Sequence, residues 1–384
     1  MRNQQFILLL ITSILCLTFG FGTGYLVHAY FPLSGANFPI LIEAYTLLDN
    51  HGLEELPSPP AMEYGMIRGM LTAYGDPYSI FVEPVQHELE SNKLEGKFGG
   101  IGAQLNWDKD GYIILYPFQD SPAAKAGIQE GDRLVGVDDL VINLQTPLET
   151  VLAAIRGPEG THVKIKVARP PAYIVQEFTI KREIITLPSV TWNLDSVENH
   201  LGIIKINRIA ASTPDEIKQA ITDLKKRGAS HFLLDLRDNH GGLLTAGVDA
   251  ARLFLNQGVV IQQEYRGQAV ENFKVETPGP FIDLPLAILV NHDTASAAEI
   301  LAGALKAQKR ADLIGQPTYG KDTIQLVFEL KDKSSLHITS AHWWVPDLEP
   351  SIGGHGLQPD IMIPEEAMNS RQIIEKAIEV LFAK

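Results

Sequence analysis

Near-continuous apolar runs alternate with helical segments after Arg182, and this pattern constrains the fold more than any other feature of the chain. Strands that are apolar throughout are buried on both faces, which is typical of a parallel sheet covered by helices. The predicted strands lie at residues 201–206, 231–237, 284–290 and 311–315, and the predicted helices lie at 214–228 and 297–310. We therefore expect an α/β core in this part of the chain.

Before Arg182 the pattern changes along the chain. Residues 37–75 have helical apolar spacing that is interrupted by the breaker PSPP at 57–60. From about residue 94, glycines separate short apolar runs, which indicates a small β-rich domain with two helical pieces. The predicted domains are an N-terminal anchor or signal at 1–31, a helical lobe at 32–93, the β-rich domain at 94–182 and the α/β core at 183–384.

The N-terminal segment predicts a membrane anchor. Residues 6–31 contain no Asp, Glu, Lys or Arg and are long enough to cross a bilayer as a helix. Arg2 precedes this run and the next basic residue is Arg68, a weak bias that places the rest of the chain outside the cytoplasm. No A-x-A site follows, so we favour a single-pass anchor in a bacterial-type cell membrane over a cleaved signal and secretion.

Composition argues against several functions. The chain has 46 acidic and 32 basic residues, a net charge of -14, whereas nucleic-acid binding needs clustered positive charge. Cys16 is the only cysteine, which excludes disulfides within the chain and multi-cysteine metal sites. The zinc motif H-E-x-x-H is absent, and we expect neither a metal nor an organic cofactor.

The stretch NHDTASAAEI at 291–300 places a serine where an apolar run leads into a helix. Ser296 and Glu299 match a capping box, in which the serine opens the helix and the glutamate reaches back to the serine amide. A strand, a tight turn and a helix start also form the geometry that exposes a nucleophilic hydroxyl beside helix amides. Asp293 or Thr294 could cap the helix instead, so the residues leave both roles open for Ser296.

Two further stretches carry candidate chemistry. The loop DNHGG at 238–242 follows an apolar strand, and glycine amides can approach a developing oxyanion closely, although a Gly-Gly pair alone indicates only a turn. If a strand begins at Lys321, alternation places Lys321, Thr323 and Gln325 on one face. Lys321 can act as a general base only if burial lowers its pKa, because only a neutral amine accepts a proton.

The β-rich domain contains FGGIGAQL at 98–105 and SPAAKAGIQEGDRLVGVD at 121–138. A glycine-rich turn that enters a strand can present several amides to one carboxylate, and an exposed strand edge can bind a peptide. Together these segments resemble a PDZ domain. The resemblance implies that a C-terminal tail contacts Gly99, Gly100, Ile101, Gly102, Leu105 and Leu152.

Taken in chain order, the motifs GG-I-G, L-D-L-R-x-N-x-G-G, T-A-S-A-A-E-I and Y-G-K-x-x-x-Q resemble those of the carboxyl-terminal processing proteases, also called tail-specific proteases. The resemblance runs from about residue 37 to the end and includes GMLTAYGDPYS at 69–79 and GLQPDIMI at 356–363. It implies a serine endopeptidase with a core like the β-α spiral of crotonases and Clp proteases. Its implied partners are protein substrates with free apolar C-terminal tails and a second copy of the chain.

By this resemblance Ser296 is the nucleophile, Lys321 is the general base and Gln325 positions the lysine. The amides of Ala297 and of either Gly241 or Gly242 would form the oxyanion hole.

Two residues depart from the family pattern. Asp322 stands where glycine is common, and a carboxylate beside Lys321 would favour the charged amine. His240 stands where proline or a small residue is usual, which could alter the oxyanion loop. These departures motivate one rival function, a catalytically inactive peptide-binding scaffold. A further alternative is a chaperone-like tether for envelope proteins, which would need binding without turnover.

Overall fold

The structure is a computed structural model that describes residues 38–367 and 371–383. The helices are α1 Pro39–His51, α2 Pro59–Tyr74, α3 Pro84–Glu95, α4 Pro122–Ala126, α5 Leu148–Ile155, α6 Thr213–Lys226, α7 Leu244–Arg252, α8 Ala297–Ala307 and α9 Arg371–Phe382, with a 3₁₀ turn at Glu365–Ala367.

The strands of the first half are β1 Ile80–Val82, β2 Lys97–Gly100, β3 Ala103–Trp107, β4 Ile113–Pro117, β5 Asp132–Val137, β6 Leu140–Val141, β7 His162–Arg169, β8 Ile174–Lys181 and β9 Glu183–Thr186. Those of the second half are β10 Val190–Leu194, β11 Leu201–Ile206, β12 His231–Asp235, β13 Val259–Tyr265, β14 Glu271–Lys274, β15 Leu286–Val290, β16 Asp312–Gly315, β17 Thr323–Glu329, β18 Ser335–Trp344 and β19 Ile361–Met362.

The chain forms two compact units, one up to Ile67 and one from Arg68 onward. The first unit contains α1 and the start of α2, and the break between these helices coincides with the predicted PSPP breaker. Within the described residues, no helix combines the length and apolarity needed to cross a bilayer. The predicted anchor at 6–31 lies outside the described residues.

The predicted β-rich domain forms the first part of the second unit. Strands β3, β4, β5, β7 and β8 form an antiparallel sheet in that order, with β6 beside β5, while β2 pairs with β9. Strand β3 is therefore an edge strand, with one side free of a partner among the described strands. Helix α5 places Val151 and Ile155 in the core of this domain, where both are buried.

The predicted α/β core is confirmed. Its six-stranded sheet has the order β10-β11-β12-β15-β16-β19, and every neighbouring pair from β11 to β19 is parallel. Every residue of β15 is buried, as expected for a central parallel strand covered on both faces. Residues from α6, α7 and α8 pack on one face of the sheet and residues from α9 pack on the other.

A second sheet lies beside this core. Strand β18 is its longest member, and it pairs with β1, β13 and β17. Strand β17 carries Gln325 and begins just after Lys321. This sheet therefore brings the candidate base to the same unit as the candidate nucleophile.

Candidate active site

Three loops meet at the carboxyl edge of the six-stranded sheet. They comprise residues 236–243, 291–296 and 316–322, and they follow the neighbouring parallel strands β12, β15 and β16. Parallel strands all end at one edge, so loops far apart in sequence converge there. The Ala295 amide donates to the Asn239 carbonyl at 2.9 Å, and the Tyr319 amide donates to the Thr294 carbonyl at 3.0 Å. These bonds join the three loops.

Ser296 occupies the N-cap position of α8 and is half-buried. Its backbone has φ 54° and ψ -122°, a conformation that non-glycine residues rarely adopt. Thr294 does not cap the helix, contrary to one sequence expectation, because its Oγ1 accepts the Asn291 amide at 3.0 Å and donates to the Leu236 carbonyl at 2.9 Å. The serine thus lies at the helix start in a strained turn, as expected for an exposed nucleophile.

Glu299 connects the serine loop to the lysine loop. Its Oε2 accepts hydrogen bonds from the amides of Ser296 at 2.8 Å and Lys321 at 3.0 Å. Its Oε1 accepts from the Gly320 amide at 2.8 Å and from the Thr318 hydroxyl. Burial raises the pKa of Glu299, and these hydrogen bonds act in the opposite direction. The sequence suggested a local brace for this residue, but its contacts reach across to the base.

Lys321 and Gln325 are in direct contact. The Lys321 Nζ donates to Gln325 Oε1 at 2.9 Å, and Lys321 forms no ion pair with any carboxylate in the described part of the chain. Burial lowers the pKa of Lys321, and the charge of Asp76 opposes this shift. The condition set for alternation, a strand that begins at Lys321, is not met, because β17 begins at Thr323. Lys321 therefore reaches Gln325 from the loop before β17 rather than from a shared strand face.

Asp322 does not act on Lys321 in the way the sequence suggested. Its carboxylate lies 3.8 Å from His342 Nδ1, and its carbonyl accepts from the Trp343 amide at 2.9 Å. The acid whose charge acts on Lys321 is Asp76, which precedes β1.

Sequence reasoning also missed Tyr78. Its carbonyl accepts from Gln325 Nε2, and Lys321 Nζ lies 5.3 Å from the centre of its ring. Asp76 and Tyr78 belong to the motif GDPYS at 75–79, but nothing in its spacing indicates a contact with a lysine about 240 residues later.

The glycine loop lies beside the start of α8. A Cβ added to Gly241, which has φ 92°, would lie 2.9 Å from Ser296 Cβ and 3.0 Å from the Ala297 nitrogen. The Gly241 amide donates to Asn239 Oδ1 at 2.9 Å. The amides of Gly242 and Ala297 donate to no atom of the described residues. Of the two glycines left open by the sequence, Gly242 is therefore the one with a free donor.

Asn239 and His240 of the same loop differ in burial. Asn239 is fully buried and its Nδ2 donates to the Ile206 carbonyl at 2.7 Å, which anchors the loop to the end of β11. His240 is exposed, so its bulk points away from the packed interior. Asp235 pairs with Arg237, with 2.6 Å between Asp235 Oδ2 and Arg237 Nη2.

The predicted tail-binding residues fall into two groups. Gly99 and Gly100 belong to β2 and pair with β9, whereas the Ile101 and Gly102 amides follow that strand and donate to no atom of the described residues. Ile101 is 1% exposed as a whole residue and packs in the domain core, so its side chain does not line an open pocket as expected; what it offers a ligand is an amide without an acceptor among the described residues.

Leu105 and Leu152 form the second group. Both are half-buried, Leu105 on the edge strand β3 and Leu152 on α5. An edge strand, two unbonded amides and partly exposed leucines are the parts that strand addition of a peptide uses.

Two protein-family models match the chain, peptidase family S41 over residues 200–363 and a PDZ domain over residues 114–169. The chain is 35% identical over 306 residues to the carboxyl-terminal-processing protease of Picosynechococcus sp., which covers 79% of this chain and 73% of that protein. It is 36% identical over 299 residues to the carboxy-terminal processing protease CtpA of Bacillus subtilis, covering 77% and 63%. A solved structure of a photosystem II D1 C-terminal processing protease aligns with a TM-score of 0.47 and 28% identity, over 88% of this chain and 90% of that one.

Proposed function

Because the chain belongs to the carboxyl-terminal-processing proteases of peptidase family S41, we propose that it is a serine endopeptidase that uses Ser296 and Lys321 as a catalytic dyad. The environment of Lys321 carries this proposal. The amine is half-buried, its pKa is lowered by that burial, and the side chain that accepts its hydrogen bond is the neutral amide of Gln325. A lysine in such surroundings loses its proton more easily than a lysine in water and can act as a base.

In the proposed reaction, Lys321 Nζ takes the proton of Ser296 Oγ while Oγ bonds to the carbonyl carbon of the scissile peptide. The carbonyl oxygen becomes an oxyanion, which the free amides of Ala297 and Gly242 stabilise. The ammonium then gives its proton to the departing amine, and the peptide bond breaks. Water, activated by the same amine, hydrolyses the acyl-enzyme and restores the serine.

Glu299 holds the nucleophile and the base in fixed relative positions. Because one carboxylate accepts the amides of both Ser296 and Lys321, the backbones of the nucleophile and the base are fixed relative to each other. Such preorganisation lowers the cost of reaching the reactive geometry.

The substrates we propose are extended proteins with free apolar C-terminal tails, bound by the PDZ domain. The PDZ match and the protein substrates implied by the names of the relatives support this assignment. The tail would add a strand to β3, its carboxylate would meet the amides of Ile101 and Gly102, and Leu105 and Leu152 would contact its last side chains. Location outside the cytoplasm, the anchor at 6–31 and a homodimer remain predictions from the sequence.

The test uses the full-length chain and a disordered reporter polypeptide that ends in five apolar residues with a free carboxylate. Fragments are followed by mass spectrometry for the wild type, Ser296→Ala, Lys321→Ala and the exposed control Ser351→Ala. We expect cleavage by the wild type and Ser351→Ala and none by the other two variants. A wild type that binds the reporter without cleaving it would favour the inactive scaffold, and persistent cleavage by Ser296→Ala would assign another nucleophile.

A further inference from the structure

We propose that Asp76 is a positioning residue for Lys321, which it holds through the loop 75–79 and Gln325. This inference rests on the proposed function, because it assigns a role to Asp76 in the chemistry of that dyad. The loop precedes β1, and its sequence GDPYS has no role in the proposed reaction so far.

Asp76 fixes the loop from within. Its Oδ1 accepts the Tyr78 amide at 3.2 Å, and its Oδ2 accepts the Ser79 hydroxyl at 2.5 Å. The Ser79 oxygen in turn accepts the Thr339 amide at 3.1 Å, which ties the loop to β18. Ser79 is 6% exposed, so this connection is protected from water.

The same loop contacts the base through its backbone. Gln325 Nε2 donates to the Tyr78 carbonyl, and Gln325 Oε1 accepts from Lys321 Nζ at 2.9 Å. A carbonyl can only accept, so the Tyr78 carbonyl requires the amide nitrogen of Gln325 and leaves the amide oxygen facing the lysine. The position of Tyr78 in the loop therefore determines the orientation of the Gln325 amide. That amide in turn determines the position of the Lys321 side chain.

Charge gives Asp76 a second effect on the same amine. Burial lowers the pKa of Lys321, and the negative charge of Asp76 acts against that shift. The other titratable groups that face the amine are Tyr78, whose ring lies over it, and His337. Tyr319 hydrogen-bonds with Tyr78, and the charge of Asp322 also acts on Tyr78. Glu299 accepts backbone amides, and Asp322 faces His342.

These effects differ between the two protonation states of the lysine. The amine is neutral before it takes the serine proton and positive afterwards, so the field of Asp76 and the Tyr78 ring stabilise the state that follows proton transfer. Asp76 thus favours the ammonium that the reaction creates, while burial keeps the resting amine easy to deprotonate.

The experiment measures kcat and KM between pH 5 and 10 with the disordered reporter, which has no fold for pH to disrupt. Asn at position 76 keeps an acceptor for Tyr78 and a polar partner for Ser79 but removes the charge. Asp76→Asn should therefore move the acid limb of kcat/KM to lower pH, because loss of the negative charge lowers the pKa of Lys321 further. Its plateau kcat should fall about fivefold, whereas Asp76→Ala, which also frees the loop, should lose about 100-fold in kcat with KM unchanged.

Asp322→Asn is the matched control, since that acid is adjacent to Lys321 in sequence but turned toward His342. Its pH profile should superimpose on that of the wild type. The inference is overturned if Asp76→Asn leaves the acid limb in place, if Asp322→Asn moves it equally, or if Asp76→Ala keeps kcat within threefold. If the wild type leaves the reporter intact, both the proposed function and this inference are overturned. If the wild type cleaves the reporter and Ser296→Ala does not, the proposed function stands, and the Asp76 variants then test this inference alone.

Discussion

The backbone amides of Ser296 and Lys321 donate to the same oxygen, Oε2 of Glu299, at 2.8 Å and 3.0 Å. Twenty-five positions separate these residues in the chain, and Ser296 leads into helix α8 whereas Lys321 leads into strand β17. Because one buried carboxylate binds both amides, the distance between the two backbones is fixed by this shared contact and does not vary with two independent loops.

Glu299→Gln should damage both stability and activity. The carboxylate accepts hydrogen bonds from the Ser296, Lys321 and Gly320 amides and from the Thr318 hydroxyl, whereas an amide group would point N–H groups at some of these donors. We expect a loss of about 2 to 3 kcal/mol in the free energy of unfolding, measured by urea denaturation. The exposed Glu276→Gln is the control, and equal stability of the two variants would contradict the bridging role.

The pH dependence of cleavage should report the Lys321 amine. Burial lowers its pKa, so the neutral form is present at lower pH than for an exposed lysine. We expect kcat/KM to rise with pH to a plateau, with a midpoint below the usual lysine range. Lys321→Arg should be inactive across this range because arginine stays protonated, whereas the exposed Lys333→Arg should match the wild type. An arginine variant that cleaves the reporter would rule out proton transfer to this side chain.

Asn239→Ala tests whether the anchored glycine loop supplies an oxyanion donor. Asn239 Oδ1 holds the Gly241 amide, which leaves the Gly242 amide as the free donor. Removing this anchor should let the loop move and lower kcat by about 100-fold, a loss typical of one oxyanion donor. A kcat within threefold of the wild type would show that the oxyanion donor does not depend on this anchor. Steady-state kinetics with a short peptide ester separates these outcomes.

Two apolar residues of the PDZ domain should respond differently to truncation. Ile101 is buried in the domain core, so Ile101→Ala should lower the free energy of unfolding by about 2 to 4 kcal/mol. Leu152 is half-buried on α5, so Leu152→Ser should leave stability within about 1 kcal/mol. It should instead weaken binding of the reporter tail to the Ser296→Ala chain about tenfold, as measured by fluorescence anisotropy. Equal tail affinity for free-acid and amidated reporters would exclude a carboxylate site at Ile101 and Gly102.

The elements of the core could be predicted from sequence because each depends on local pattern. The apolar run at 284–290 contains β15, and the amphipathic segment at 214–228 contains most of α6. The glycine loop and Ser296 could be placed for the same reason, since each follows an apolar strand and all such strands end at one edge of the sheet.

The parts that escaped prediction depend on contacts between distant segments. No spacing rule relates Asp76 and Tyr78 to Lys321, and Lys321 lies in the loop before β17 rather than on the strand for which alternation was argued. The direction of the Asp322 side chain depends on β18, which the sequence does not place beside the lysine. Side-chain partners across sheets follow from tertiary packing, which a single sequence expresses only weakly.

The backbone of Ser296, at φ 54°, has a consequence for how such a chain can evolve. A non-glycine residue in this conformation costs about 1 to 3 kcal/mol that glycine would not incur. Selection for folding stability would therefore favour glycine here, whereas the proposed chemistry requires the serine side chain. Relatives that have abandoned proteolysis should be recognisable by glycine at this position and by a higher melting temperature.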